Sequence, residues 1–554
     1  MPRGAGLRRG RVATRPSTEL DPQGDTGSRR RPVPPPIPEP PVPPAPDSAS
    51  RRRWDAAHAC VWGFAALYAG VFSWLSVMRY RGYSTGRFDL GNMVQAVWST
   101  SEGRLLETTD ISGRQFSRLG AHVDPILVLF TPLWWLWSSP EVLLVAQAVI
   151  VASGALPAFW LGRRWLGDDR LAVAGAAAYL LYPALQHPTL FDFHPVTLAA
   201  PLLLFCIWAA EEARWVTLGV CAALAVITQE QVGLLVAALA VWLWFRHPER
   251  RRGAVILAAG ALAWVVVAVT VIMPAFALKG DNPHIVRYSA LGDGPADIAL
   301  TFLTRPWEAL EVIATPARAA YLVGLLLPLL LLPLAAPLML VVAVPQLLIN
   351  LFASTGPAQS VEYHYAVLLV PVLIAAALLG LANLRALGRD DALGRLASRS
   401  GLMAALLVGA VVLSGARQGP LPLWGWMPGG WGGGPANAFT VDDDARAIQR
   451  AVDMVPDTAV VAATNNAASH LSARRRILLL PRLGNADWAL LADVPRLRAM
   501  AADRPTLRPI GDDTYIGLRA RARLLRTSPK WTLVFDERGV RLYRRVASIP
   551  ADER

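Results

Sequence analysis

The chain has 554 residues, of which 54% are hydrophobic and 17% are charged, and its mean hydropathy is +0.36. Soluble globular proteins carry roughly 25% charged residues, so this composition excludes a soluble globular protein and predicts a polytopic α-helical membrane protein. The net charge of +13 comes almost wholly from arginine, because Lys279 and Lys530 are the only lysines. The arginines cluster near both termini and in short loops between apolar runs, which is typical of membrane topology signals and not of nucleic-acid binding.

The N-terminal segment, residues 1–53, is rich in arginine and proline and predicts a disordered cytoplasmic tail. Arg51, Arg52 and Arg53 directly precede the first long apolar run, at 58–78. By the positive-inside rule, we expect the N-terminus in the cytoplasm.

Apolar runs divided by arginine-rich turns predict about eleven membrane-spanning helices within residues 54–417. The run at 125–137 is shorter than the roughly 20 residues that a spanning helix needs, and it predicts a re-entrant or interfacial segment. The region 215–245 fits either two half-length helices or one long tilted helix. An odd number of spans places the C-terminal tail outside, in a multi-pass protein of the plasma membrane. The predicted spans are 58–78, 141–162, 171–190, 196–210, 215–227, 232–245, 254–278, 319–335, 337–352, 365–384 and 402–416.

The composition changes after the last apolar run. Residues 418–440 form a Gly/Pro/Trp-rich linker, and 441–554 predict a small extracytoplasmic α/β domain. Strand-like runs lie at 459–463, 477–480 and 531–535, and 442–455 has the periodicity of an amphipathic helix.

Polar residues beside the predicted spans are the candidates for a site, because ionisable groups near a bilayer usually have a function. The long first outer loop, 79–124, contains Asp89 at an apolar boundary, followed at 90–98 by a predicted amphipathic helix. We interpret Asp89 as the catalytic carboxylate, suited to deprotonating an acceptor hydroxyl. His122 and Asp124 lie directly before the short apolar segment and are placed to contribute.

Three further candidates, His194, Glu230 and His364, lie at the ends of other predicted spans. We expect all of them on one face of the membrane, lining the same site. Asp89 and the three histidines, His122 included, could share a divalent cation. The chain has no zinc-type His/Cys spacing and no Walker-type loop, so a metallohydrolase or an ATP-driven pump is not indicated.

Five short motifs are spread along the chain. They are Phe88-Asp-Leu-Gly-Asn-Met-Val-Gln-Ala-Val-Trp98, His122-Val-Asp-Pro, Phe193-His-Pro, Glu362-Tyr-His-Tyr and Ala463-Thr-Asn-Asn-Ala-Ala-Ser-His-Leu-Ser-Ala-Arg474. Together they resemble a family of bacterial polytopic membrane proteins, a domain of unknown function, which is grouped with the GT-C superfamily of glycosyltransferases. The resemblance covers roughly residues 55–545 and implies a GT-C-like fold.

The resemblance also implies a function: transfer of a sugar from a polyprenyl-phosphate donor to a cell-envelope acceptor on the extracytoplasmic face, with inversion and with Asp89 as general base. Arg87, Arg114 or Arg118 would then meet the donor phosphate, because a guanidinium binds phosphate oxygens in pairs. Two alternatives stay open from the residues alone. One is a transporter or flippase of lipid-linked or small polar substrates, and the other is a non-catalytic membrane assembly protein.

Overall fold

The structure is a computed structural model, and it describes residues 55–278, 285–388, 390–426, 436–495, 497 and 511–546. The predicted cytoplasmic tail and part of the predicted linker lie outside these residues. The described chain is mostly helical. Its longer helices are Ala56–Arg81, Asn92–Ser101, Glu141–Ser153, Ala155–Leu166, Asp169–Leu181, Pro183–Phe191, Ala199–Glu211, Trp215–Val226, Val232–Arg246, Arg251–Val267, Pro295–Thr304, Pro306–Ile313, Pro316–Leu326, Val344–Phe352, Leu369–Ala386, Ser400–Gln418, Asp443–Asp453 and Gly511–Thr527.

Among the described residues, five helices are long and apolar enough to cross a membrane, or six if the bent pair Pro306–Ile313 and Pro316–Leu329 is one span. Five further apolar helices are shorter, and they include Pro125–Leu136, the predicted re-entrant segment. The region 215–245 contains two helices, Trp215–Val226 and Val232–Arg246, so the half-length alternative is the one observed. The total of eleven spans stays a prediction.

The helical bundle has an inner and an outer part. Every residue from Leu369 to Leu381 is buried, so this helix lies at the centre. A Cβ added at Gly380 would lie 2.1 Å from the carbonyl oxygen of Leu332, so glycine permits the close approach of the neighbouring segment. By contrast, the helix Arg251–Val267 leaves large apolar side chains such as Ile256 exposed. Such a surface is expected of a helix that faces lipid.

The C-terminal part forms a five-stranded mixed sheet with strand order β4-β3-β5-β7-β6. β3 pairs in parallel with β4 and with the central strand, β5, whereas β7 is antiparallel to both β5 and β6. Helices 443–453 and 465–470 cover one face of the sheet, and helix 511–527 covers the other. The strands are β3 (Val461–Ala463), β4 (Ile477–Leu479), β5 (Trp488–Ala492), β6 (Trp531–Glu537) and β7 (Val540–Arg545), while β1 (Glu107–Thr109) and β2 (Gln115–Ser117) form a hairpin in the first outer loop.

The strands that were predicted, β3, β4 and β6, are observed at slightly different bounds. The turn between β6 and β7 contains Arg538 and Gly539, both with positive φ (51° and 87°), as a tight two-residue hairpin requires. The sequence reading did not identify β5 or helix 511–527. A short, fully buried strand such as β5 has no alternation to reveal it.

Candidate active site

Seven of the eight residues predicted to form the site line one cavity of about 410 Å³. They come from four separate parts of the chain: the first outer loop, the segment after helix Pro183–Phe191, the break between the two half-length helices, and the loop before the central helix. The seven residues are Asp89, Arg118, His122, Asp124, His194, Glu230 and His364. The structure therefore brings distant polar motifs together around one space.

Asp89 lies in a single π-helical turn, Arg87–Gly91, directly before helix Asn92–Ser101. One third of its side chain (34%) is exposed, and its Oδ1 is 3.1 Å from Nε2 of His194. His194 is itself buried and stacks on His364, with ring centroids 4.1 Å apart. Because π-turns are frequent at functional sites, and because this carboxylate keeps access to the cavity, it is placed to act as a base.

The π-turn is held by Asp192, a residue that the sequence did not lead us to select for the site. Oδ2 of Asp192 accepts hydrogen bonds from the backbone N–H groups of Gly86 (3.0 Å) and Leu90 (3.3 Å). Burial raises the pKa of the Asp192 carboxyl, and the Arg79 guanidinium opposes the rise only in part. Gln147 braces the same segment, donating to the carbonyl of Asp192 (3.1 Å) and accepting from the N–H of His194 (2.9 Å).

At the other end of the cavity, the charged groups are paired with each other. Nδ1 of His122 is 3.1 Å from Oε1 of Glu230, whose Oε2 accepts from the N–H of Val123 (3.0 Å). Nε of Arg118 donates to Oδ2 of Asp124 at 2.7 Å. Burial raises the pKa of Asp124, against the opposing charge of Arg118. These contacts tie the end of the first outer loop to the break between the half-length helices.

Arg87 is the eighth predicted residue, and it is not among those that line the cavity. Its side chain is buried and donates to the carbonyl of Thr109 in the β1/β2 hairpin. Arg114 is half exposed and pairs with Asp110 at 3.0 Å. Of the three arginines considered for the donor phosphate, Arg118 is therefore the one at the cavity.

Among the polar cavity residues that sequence reasoning did not select are Arg287 and Gln346. The Arg287 guanidinium lies over the Tyr365 ring, 5.8 Å from its centroid. Gln346 is buried, and its Oε1 has no hydrogen-bond partner among the residues that the structure describes. Arg287 had one weak signal, since it is an arginine in a predicted outer loop and not in a basic cytoplasmic turn.

The side chains considered as ligands of a shared divalent ion do not form a ligand set. In the part of the chain that the structure describes, no group of three or more His, Cys, Asp or Glu side chains is arranged to hold a metal ion. His194 is bonded to Asp89, and His122 faces Glu230 instead. We derive no step through a metal.

The C-terminal motif, 463–474, also holds the turn that contains Asp89. Oδ1 of Asn465 accepts from the backbone N–H groups of Arg87 (2.9 Å) and Phe88 (3.4 Å). Nδ2 of Asn466 donates to the carbonyl of Tyr83 at 2.9 Å. His470 stacks between Tyr80 and Tyr83, with centroids 3.9 and 3.8 Å away. These contacts explain why the first and last motifs belong together: one carries the acid, and the other fixes its backbone.

The fold and the cavity together define a polytopic helical membrane protein with a polar, charged site formed by loops and helix ends. The chain belongs to the DUF2079 family of predicted membrane proteins, whose model matches residues 79–498. This match confirms the family that the sequence motifs indicated. No curated protein sequence matches the chain.

Three solved structures are similar to the chain. ArnT from Cupriavidus metallidurans bound to undecaprenyl phosphate is 12% identical over 89% of this chain and 100% of that one, with a TM-score of 0.44. Its apo form is 13% identical over 90% and 100%, with a TM-score of 0.46. The archaeal oligosaccharyltransferase AglB from Archaeoglobus fulgidus, in complex with an inhibitory peptide and dolichol-phosphate, is 12% identical over 88% and 75%, with a TM-score of 0.40. These are GT-C glycosyltransferases, the superfamily named in the prediction. At such scores the likeness carries no argument about activity, which has to come from the cavity.

Proposed function

We propose that this protein is an inverting glycosyltransferase that moves a sugar from a polyprenyl-phosphate donor to a hydroxyl acceptor of the cell envelope. One observation carries the proposal: a carboxylate, Asp89, opens onto a cavity that also contains two arginines. That pairing of a base with phosphate-binding cations is what the reaction needs.

In the proposed step, the acceptor oxygen attacks the anomeric carbon of the donor sugar from the face opposite the phosphate. Asp89 accepts the proton of the acceptor hydroxyl. The bond between the anomeric carbon and the phosphate oxygen breaks, and both electrons of that bond leave with the polyprenyl phosphate. His194, whose Nε2 is 3.1 Å from Oδ1 of Asp89, orients the carboxylate.

Arg118 and Arg287 are the groups proposed to bind the leaving phosphate. Both line the cavity that Asp89 faces. Arg118 is already paired with Asp124, so a bound phosphate would share it, whereas Arg287 packs on a tyrosine ring. We expect Arg287 to be the stronger of the two phosphate ligands.

The proposal also states on which face of the membrane the cavity lies. The cavity, the first outer loop and the C-terminal sheet lie together, and by the positive-inside rule we place them on the outer face of the plasma membrane, with the N-terminus in the cytoplasm. The C-terminal residues, 441–554, then form an extracytoplasmic α/β domain. A donor carried on a lipid suits this face, because no nucleotide is needed there.

The test is transfer of radiolabelled sugar from polyprenyl-phosphate donors by membranes that contain the wild type, Asp89→Asn or Glu102→Gln. Asp89→Asn keeps the shape of the side chain and removes the base, so transfer should fall about 10²- to 10⁴-fold. Glu102 is an exposed acid of the same loop outside the cavity, and its variant should retain wild-type transfer. If Asp89→Asn were as active as the wild type, Asp89 would not be the base. If the wild type moved no sugar from any donor but copurified with a lipid, a transport role would replace the transferase.

A further inference from the structure

A second cavity, of about 680 Å³, lies between the C-terminal sheet and the first outer loop. Its cationic residues are Arg482, Arg521 and Arg545, and its apolar wall includes Trp531 and Leu480. We call it the arginine cavity. Apart from Phe88, its lining residues lie outside the five motifs named above.

The arginine cavity carries positive charge, and no acidic side chain among its described lining residues neutralises that charge. Among the described residues that line it, three are arginines and none is acidic. Nε of Arg482 donates to the carbonyl of Ile111 (3.1 Å), and the Arg545 guanidinium donates to the carbonyls of Ala486 (2.8 Å) and Gly484 (3.1 Å). Backbone carbonyls fix these two guanidinium groups in place without cancelling their charge, so the cavity is preorganised for an anion.

The rest of the lining restricts which anion would fit. Leu479, Leu480, Pro481 and Leu483 form an apolar floor beside the arginines. A small inorganic anion would leave that floor uncovered. A mostly apolar pocket with a few convergent cations suits a larger organic ligand, whose C–H surface covers the floor while its charged group reaches the arginines. A saccharide that carries a phosphate or a carboxylate has both features.

The arginine cavity adjoins the candidate active site through one side chain, Phe88. Phe88 lines both cavities, and it is the residue directly before Asp89. A ligand anchored at the arginines therefore lies next to the turn that carries the proposed base.

We propose that the arginine cavity binds the acceptor substrate, and that this acceptor is an anionic saccharide. Its identity as the acceptor rests on the proposed transfer reaction, whereas the binding of an anionic saccharide does not. Arg482, Arg521 and Arg545 bind the anionic group, and the sugar ring packs on the apolar floor.

The test is binding of small saccharides to the purified full-length protein, measured by calorimetry. The probes are tetragalacturonate, which carries carboxylates, glucose 1-phosphate, which carries a phosphate, and neutral maltotetraose. We expect one or both anionic probes to bind at least tenfold more tightly than maltotetraose, and the stronger one identifies the anionic group. Equal binding of all three, or binding of none, would overturn the proposal.

The matched variants are Arg521→Ala and Arg523→Ala. Both remove one arginine from helix 511–527, but Arg523 is exposed and outside the arginine cavity. Losing one charged partner should weaken binding of the anionic probe about tenfold or more in Arg521→Ala, and less than twofold in Arg523→Ala. Equal losses in both variants would indicate nonspecific attraction and refute the site. Asp89→Asn should bind the probe like the wild type, so a missing transferase activity and a missing acceptor site give different results.

Discussion

The two ends of the candidate active site are held together in opposite ways. At one end, ionisable side chains pair directly with each other: Arg118 with Asp124, and His122 with Glu230. At the other end, the Asp89 carboxylate contacts His194 and remains one third exposed, while its backbone is held by neighbours outside the cavity. The difference shows that ionisable side chains serve two purposes in this cavity. Some stabilise the structure, and Asp89 stays accessible to a substrate.

At the paired end, the ionisable side chains stabilise the structure. A buried ion pair whose members satisfy each other has little left to offer a substrate, and breaking it leaves an uncompensated charge. At the Asp89 end, the carboxylate stays accessible because its backbone is positioned by other side chains, those of Asp192 and Asn465. Each of these accepts two backbone N–H groups of the segment Gly86–Leu90, from opposite sides. The following predictions break one kind of support at a time.

The largest effect is expected from Arg118→Ala, which leaves the buried Asp124 without its partner. We expect the free energy of unfolding to fall by about 3 kcal/mol, measured by chemical denaturation in detergent micelles. Arg114→Ala is the control, because that half-exposed arginine of the same loop pairs with Asp110 at the surface and should cost less than about 1 kcal/mol. The double variant Arg118→Ala/Asp124→Ala should recover part of the loss. A single variant as stable as the control would show that the pair does not hold this end.

The second largest effect is expected when the pH is lowered, because His470 belongs to the C-terminal motif that holds the Asp89 turn. Burial lowers the pKa of His470 to about 3, well below the roughly 6.5 of an unfolded histidine. Between these values the unfolded chain binds more protons than the folded one, so this contribution to stability is complete above pH 6.5 and is lost as pH falls. From pH 7 to pH 5, the contribution of His470 to the free energy of unfolding should drop by about 2 kcal/mol, measured as the difference between the wild type and a variant that cannot titrate at this position.

The control for this pH dependence is His470→Phe, which keeps a ring between Tyr80 and Tyr83 but cannot titrate. We expect the variant to be less stable at pH 7, because the hydrogen bond from Nε2 to the carbonyl of Tyr80 (2.8 Å) is lost. Between pH 7 and pH 5, the free energy of unfolding of the wild type should fall by about 2 kcal/mol relative to that of the variant, because the other titrating groups are common to both. Parallel curves for the two proteins would mean that His470 does not carry the dependence.

Most of the candidate site could be predicted from the sequence because ionisable residues beside apolar runs are conspicuous. Asp89, His194, Glu230 and His364 were each selected by that contrast, and the fold brings them together. Arg87 could not be judged in this way. Its side chain is buried against the carbonyl of Thr109, in a hairpin of three-residue strands too short to recognise.

The positioning residues were beyond sequence reasoning for a different reason. Asp192 acts on backbone N–H groups more than 100 positions earlier in the chain, and backbone groups leave no trace in residue type. Many of the predicted apolar runs coincide with helices, but several of the breaks within them were not predicted. The run predicted as 171–190 is divided at Tyr182 into helices Asp169–Leu181 and Pro183–Phe191, as expected where the residue before a proline avoids the helical conformation.

The smallest and most specific effect is expected from Asn465→Ala, because it removes one support of the Asp89 turn and leaves Asp192 in place. Two backbone N–H groups lose their acceptor, so the free energy of unfolding should fall by about 1 kcal/mol. Transfer activity should fall about tenfold, because a misplaced base is inefficient. Asn465→Asp retains an acceptor oxygen and should restore much of both. Loss of stability without any loss of transfer would show that the C-terminal motif anchors the chain but does not position Asp89.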